Sequence, residues 1–359
     1  MWGLVVALLL CGDDRKAALY LWDRGDGSLS VATLEPKPGL DCVEAPDWGP
    51  DSRTLYFHAG PEGGYRHQPR REGASVFRTK IQPDGSAGPI EDLGAGAFPA
   101  ASPDGRLLAI SDAGSVVLAN ADGSGRRTLG TAEVARWGLL GNPDGGPPVT
   151  DGRLLVRTAN SQLGQMSIAG REVTPIPLPG EASTYVMDFQ PLPDRRALVV
   201  NWTGSGTVIR SIPLRTEESE VADPTDAEAL FELPYEGGQY VTRACLLPGD
   251  RTLGVVVLSP SRLAGGNGRL FFETELPLLS VDQAVMPLRV PDGVGIWDIA
   301  YSPDGRYAAF VSNAWYADPV GDSDGPIDLA VRKPESVGEQ AGAVEQPLQV
   351  GPLGADVDQ

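Results

Sequence analysis

Few residues in this chain could do chemistry, and most are poorly placed for it. Gly321-Asp-Ser-Asp-Gly325 has the Gly-x-Ser-x-Gly spacing that presents a nucleophilic serine on a strand-to-helix elbow. Its flanks, Trp315-Tyr-Ala-Asp-Pro-Val320 before and Pro326-Ile-Asp-Leu329 after, supply neither the buried strand nor the helix. The hydrolase order also needs a histidine after the serine, yet His58 and His67 both precede it. No catalytic residue is therefore expected. The same loop carries Asp318, Asp322, Asp324 and Asp328, and oxygen-rich loops can take Ca²⁺. Val320 stands where the EF-hand spacing needs a ligand and no Glu closes the far end, so Asp318, Asp322 and Asp324 make a weak calcium candidate beside the plainer reading of a polar turn. His58 and His67 lie nine residues apart, with Tyr65, Arg66, Arg70 and Arg71. Two imidazoles without placed carboxylates hold a metal poorly, so no metal site is assigned there. Tyr65, Arg66 and His67 form instead a basic, aromatic island on an acidic chain, a surface loop suited to contacting a partner.

Composition narrows the classes further. With 359 residues, 41% hydrophobic and 21% charged, the chain is globular. Its net charge of −19 argues against nucleic acid, whose phosphates demand a surplus of Lys and Arg, and against an anionic lipid surface. Three cysteines, Cys11, Cys42 and Cys245, make no disulfide framework and no zinc spacing, and Cys42 and Cys245 read as free buried thiols. Asn201-Trp-Thr203 fits the glycosylation pattern, which matters only in a eukaryotic secretory setting. Arg24-Gly25-Asp26 sits in a tight hairpin and reads as turn chemistry.

The elements that must position any site are set by a repeated phrase. Ile296 to Asn313 reads as strand, tight turn, strand, with Ser302-Pro-Asp-Gly305 as the turn. The phrase returns at Gly49-Pro-Asp-Ser-Arg53 and Ser102-Pro-Asp-Gly-Arg106. Weaker copies are Thr150-Asp-Gly-Arg153, Leu192-Pro-Asp-Arg-Arg196 and Leu247-Pro-Gly-Asp-Arg251. Measured on the closing arginine, the intervals are 53, 47, 43, 55 and 55 residues. That period, with a second hairpin between copies such as Val116 to Leu129, predicts an all-β propeller of six blades with about four antiparallel strands each. A seventh, degenerate blade is the alternative. The hairpin from Leu19 to Leu34 looks like the outer pair of a blade without its inner pair. It could close the ring, as could Ile327–Val331 or Pro347–Val350. Thr216 to Glu228, interrupted by Pro224, reads as a polar insertion loop.

These repeats resemble the PD40 (WD40-like) repeats of TolB-like six-bladed β-propellers. Ala45–Phe57, Phe98–Ile110 and Ile296–Asn313 carry the resemblance, which spans roughly residues 17–350. TolB has an α/β domain before its propeller, so the resemblance implies the propeller module alone. It also implies that the loops before each first strand and after each second strand line one mouth of a central channel. Tyr185, Tyr240 and Trp297, and Trp202, Trp315 and Tyr316, should lie there. They read either as a recognition surface or as packing between blades, and Trp48 and Trp137 read as core.

Residues 1–16 form a separate segment. Trp2 to Leu10 has the length of a signal-peptide apolar core, and Cys11 after it is similar to the lipidation site of bacterial lipoproteins. Leu10 departs from the small residue that pattern needs, and no basic residue precedes the run, so an uncleaved apolar end or edge strand competes. Residues 351–359 read as a flexible tail. The expectation is a non-catalytic, exported module of the periplasm or outer envelope. It would bind a protein or peptide as a monomer, without cofactor or nucleic acid, and meet a membrane only through a lipid at Cys11. The alternatives are a lactonase-, lyase- or sugar-binding propeller with a site in the channel, and a cytoplasmic scaffold.

Overall fold

The computed structural model describes residues 17–33, 35–61, 73–140, 149–169, 172–179, 185–214, 227–235, 238–249, 252–259, 268–275, 288–289, 295–312 and 330–331. Tyr65, Arg66, His67, Trp315, Tyr316, Cys11 and the aspartates 318, 322, 324 and 328 lie outside the described residues.

Six antiparallel sheets follow one another around a ring. We label them blades 1 to 6, with strands a to d running outward from the channel. Blade 1 is Cys42–Trp48, Thr54–Gly60, Ser75–Lys80 and Glu91–Ala95. Blade 2 is Ala97–Ala101, Leu107–Asp112, Ser115–Asn120 and Arg127–Thr131. Blade 3 is Val134–Leu140, Val149–Arg157, Leu163–Ser167 and Val173–Pro175. Blade 4 is Tyr185–Leu192, Arg196–Trp202, Gly206–Pro213 and Glu228–Pro234. Blade 5 shows three strands, Tyr240–Leu246, Thr252–Ser259 and Gly268–Glu275. In blade 6, Ile296–Tyr301 and Tyr307–Ser312 are strands a and b, while the N-terminal Ala18–Asp23 and Leu29–Thr33 are c and d. Each strand a packs against the strand a of the next blade, and that of blade 6 against that of blade 1, so the ring is complete.

Ring closure, open from the sequence, is thus made by the N-terminal hairpin. Ala18–Asp23 pairs residue for residue with Tyr307–Ser312, leaving neither as an exposed edge. Of the rival tail strands, Ala330–Val331 pairs with Leu288–Arg289 in a separate ribbon, and Pro347–Val350 lies outside the described residues. There are six blades and not seven.

The packing follows the same count. Six clusters of buried side chains form, one in each gap between neighbouring blades. Between blades 5 and 6, Tyr20 stacks on Phe310 at 5.3 Å. Trp48 and Trp137 are buried as expected, and each indole donates across a blade gap, to the Ala300 carbonyl at 3.0 Å and the Ala100 carbonyl at 2.8 Å.

The turn phrase works through its serine and aspartate. In blades 2 and 6 the serine hydroxyl donates to the aspartate (Ser102–Asp104 and Ser302–Asp304, 2.6 Å each) and accepts from the first strand-b amide at 2.9 Å. Thr150-Asp-Gly-Arg153 is a correction. It lies inside strand b of blade 3, where Gly152 has φ 76° and the Gly152 amide donates to Thr150 Oγ1 at 3.0 Å. Asp-Gly makes a bulge there and not a chain reversal; the register of strands a and b slips beside it, between Trp137 and Leu139.

Gly96 alone separates strand d of blade 1 from strand a of blade 2. Its φ is +133°, and a Cβ there would sit 2.4 Å from Ile110 Cγ2. Gly96→Ala is therefore expected to destabilise the protein by about 2–3 kcal/mol through combined strain and overlap. Urea denaturation of the variant beside the parent measures this; an unchanged midpoint would contradict the assigned conformation.

Candidate functional site: the channel and its aromatic mouth

In five blades strand a carries a bulge, between Glu44/Asp47, Ala97/Ala100, Val186/Asp188, Val241/Arg243 and Ile296/Asp298. In blade 3 the extra residues lie in strand b, between Thr150 and Leu154 opposite Trp137/Leu139. A bulge adds a residue and re-aims the side chains beside it. In blades 1, 4, 5 and 6 a charged side chain, Asp47, Asp188, Arg243 or Asp298, closes the bulge. Asp47, Arg136, Asp188, Arg243 and Asp298 occupy the strand a of five blades; blade 2, with Ala97-Phe-Pro-Ala-Ala101, has none.

These charges tie the blades together. Arg243 of blade 5 bridges Asp188 of blade 4 at 2.7 Å and Asp298 of blade 6 at 3.2 Å. Asp188 accepts the Ala244 amide at 3.2 Å, Asp298 accepts the Ala45 amide at 3.1 Å, and Asp47 accepts the Ala101 amide at 2.8 Å. In each case a carboxylate of one blade satisfies a backbone donor of the next, which burial would otherwise leave costly. Arg157, from strand b of blade 3, donates to the Met187 carbonyl of blade 4 at 2.8 Å. On the blade 1 side, His58 is fully buried against Phe98. Its Nδ1 accepts the Phe98 amide at 3.3 Å, which leaves the proton of the neutral ring on Nε2, 3.7 Å from Glu44 Oε2.

The electrostatics follow from enclosure. Burial opposes the charge on Arg243, but the Asp298 and Asp188 carboxylates outweigh it and hold the guanidinium above its ordinary range. Burial raises Asp298 despite that partner. Burial, with Arg243 adding repulsion, lowers Arg157 to about 10. Asp47 is walled in by protein yet keeps an open edge, and burial lifts its carboxyl to about 6 against the opposing pull of Arg136.

The Asp47 shift has a definite sign. A carboxyl raised in the folded state holds a proton that the unfolded chain has lost, so stability falls as pH climbs from about 4 to about 6. Asn at this position keeps an acceptor for Ala101 and carries no charge. Asp47→Asn is expected to match the parent near pH 4 and to exceed it by on the order of 2–3 kcal/mol at pH 8. Urea melts across that range test this, and a difference independent of pH would contradict it.

At the mouth formed where strands a begin and strands b end, four aromatic side chains cluster between blades 4 and 5. Tyr185 opens strand a of blade 4 and lies opposite Trp202, the last residue of strand b. Trp202 meets Tyr235 edge-on at 4.9 Å and 87°, and Tyr240 at 6.0 Å and 77°. Tyr185 and Tyr235 are 38% and 43% exposed, the only large hydrophobic side chains exposed to that degree among the described residues.

The structure therefore brings together Tyr185, Trp202 and Tyr240 of the sequence-derived set. Trp297 goes elsewhere: it is buried in the cluster between blades 6 and 1, which is the packing alternative. Tyr235 and the channel charges were missed. A signal for the latter existed, since each apolar strand a but one is interrupted by a single Asp or Arg at a similar place. Tyr235 follows strand d, for which the repeat phrase gives no register. Asn201 is fully buried, its Oδ1 accepting from Arg210 at 2.8 Å, so it cannot carry a glycan in the folded protein. Cys42 and Cys245 are buried free thiols. Among the described residues no three His, Cys, Asp or Glu side chains converge as metal ligands.

No protein-family model matches the chain, and no curated protein matches it in sequence. Among solved structures it is similar to a protein of Agrobacterium tumefaciens assigned as TolB, at 16% identity and TM-score 0.51, over 83% of this chain and 98% of that one. It is also similar to the β-propeller domain of Cps50 (Swd1) of Myceliophteria thermophila, at 14% identity and TM-score 0.46, over 76% and 80% of the two chains. Hydrazine synthase of Kuenenia stuttgartiensis follows at 13% identity and TM-score 0.45, over 73% and 71%. Identities this low speak to the fold alone: this chain is a six-bladed β-propeller, similar in fold to that Agrobacterium protein.

Proposed function

We propose that the protein is a non-catalytic recognition module that binds a protein or peptide at the mouth between blades 4 and 5. The observation that carries this reading is the exposure of Tyr185 and Tyr235 over the half-buried Trp202 and Tyr240. Large aromatics left in water in an otherwise well-packed ring have no folding role that demands exposure, and Tyr and Trp dominate interface hot spots. The reading extends to an exported protein of the bacterial envelope, supported by the apolar run before Cys11.

A second reading, chemistry or small-ligand binding in the channel, draws on Asp47 and Arg157, because displaced protonation equilibria cluster at functional sites. Against it, the channel charges already serve the backbone and one another.

Selection of a displayed random-peptide library on the immobilised protein tests the first reading, with the Tyr185→Ser/Tyr235→Ser variant as counter-target. Enriched peptides that ignore the double variant are expected. Peptides retained equally by both proteins, or no enrichment, would count against this mouth.

A further inference from the structure

Resting on that reading, we infer that the mouth reads positive charge: its occupant is a cationic side chain, arginine or lysine, of an extended basic peptide. The warrant is the geometry of the rings. Trp202 is met by two tyrosines that stand at 87° and 77° to it, so their planes form walls at right angles and do not stack as a flat plate. Tyr185 flanks Trp202 from the paired strand and stays open to water. An apolar side chain needs only area. The exposed Tyr185 and Tyr235 rings beside half-buried Trp202 put aromatic surface within reach of a cation in solution, which such rings attract. Trp provides the strongest such face.

Charge complementarity points the same way. The chain carries −19 overall. An anionic peptide would meet repulsion, and a neutral one would gain nothing from that charge.

Fluorescence polarisation with the full chain at physiological salt tests this with three labelled probes: an alternating Gly-Arg peptide, the same peptide with citrulline for arginine, and an alternating Gly-Glu peptide. Citrulline keeps the shape of arginine and removes its charge. The Gly-Arg probe is expected to bind about tenfold or more tighter than the citrulline probe, and the Gly-Glu probe not at all. Tyr235→Leu keeps apolar area at an exposed position, so folding is spared; it is expected to weaken Gly-Arg binding several-fold and leave the citrulline probe unchanged. Tyr235→Phe, which keeps the ring, should bind as the parent does. Tetramethylammonium chloride should displace the Gly-Arg probe more effectively than sodium chloride at equal ionic strength. Equal binding of the arginine and citrulline probes would overturn the inference while leaving peptide recognition intact. Gly-Arg binding indifferent to Tyr235→Leu would overturn it as diffuse attraction to an acidic surface. Failure of every probe, together with failure of the library selection, would remove both readings.

Discussion

Arg243→Met is expected to destabilise the propeller by about 3–5 kcal/mol, far beyond the loss of a surface ion pair. The reason is what remains. Asp188 and Asp298, 12% and 11% exposed at the side chain, are partnered by this one guanidinium at 2.7 and 3.2 Å. Methionine fills similar space but leaves two enclosed carboxylates without their ion-pair partner. The asymmetry is itself testable: adding Asp188→Asn and Asp298→Asn to Arg243→Met should recover most of the loss, because a neutral network still accepts the Ala244 and Ala45 amides. The pH dependence is fixed as well. Burial already raises Asp298, and without Arg243 it acts unopposed by that cation. A carboxyl raised in the folded state binds its proton before the unfolded chain does, so the single variant's deficit should shrink as pH falls and be largest at pH 8. Urea unfolding at pH 5 and pH 8 measures both effects. A deficit under about 1 kcal/mol at pH 8 would show that channel water screens these charges.

The second large effect concerns closure. A chain beginning at Glu35 lacks strands c and d of blade 6. All six residues of Ala18–Asp23 are buried, and Leu19, Tyr20, Leu21 and Trp22 are each 6% exposed or less. Burying four such side chains contributes on the order of 6–12 kcal/mol as an upper figure, comparable to the whole stability of a typical domain, about 5–15 kcal/mol. The truncation also uncovers Tyr307–Ser312 as an edge strand. Loss of cooperative thermal unfolding and aggregation is expected, with partial rescue by a synthetic peptide of residues 17–34 added in trans. A truncated chain that melts cooperatively near the parental temperature would contradict closure by this hairpin.

The sequence shows the architecture more plainly than the site, for a physical reason. A turn between strands has local requirements: Ser302 and Asp304 act within five residues of one another, so the phrase repeats visibly and sets the period. Strand a has requirements imposed from the next blade. Asp298 serves Ala45, and Asp47 serves Ala101. These partners are far apart or unrelated in sequence, and a lone Asp in an apolar run shows nothing of them. The same holds for aromatics. Trp202 and Trp297 look alike at the ends of apolar strands, yet one reaches the mouth and the other fills the gap between blades 6 and 1. Thr150-Asp-Gly-Arg153 shows the converse limit, since Asp-Gly can bulge a strand as readily as reverse it.

Recognition through the aromatic mouth is tested most directly by titrating a library-selected peptide against the parent and against Tyr185→Ser/Tyr235→Ser, with thermal melts of both proteins. Both positions are more than a third exposed, so the melts should nearly coincide. A loss of affinity of at least about tenfold is expected in the double variant. Equal affinity in two equally stable proteins would contradict it and move the binding surface elsewhere on the ring.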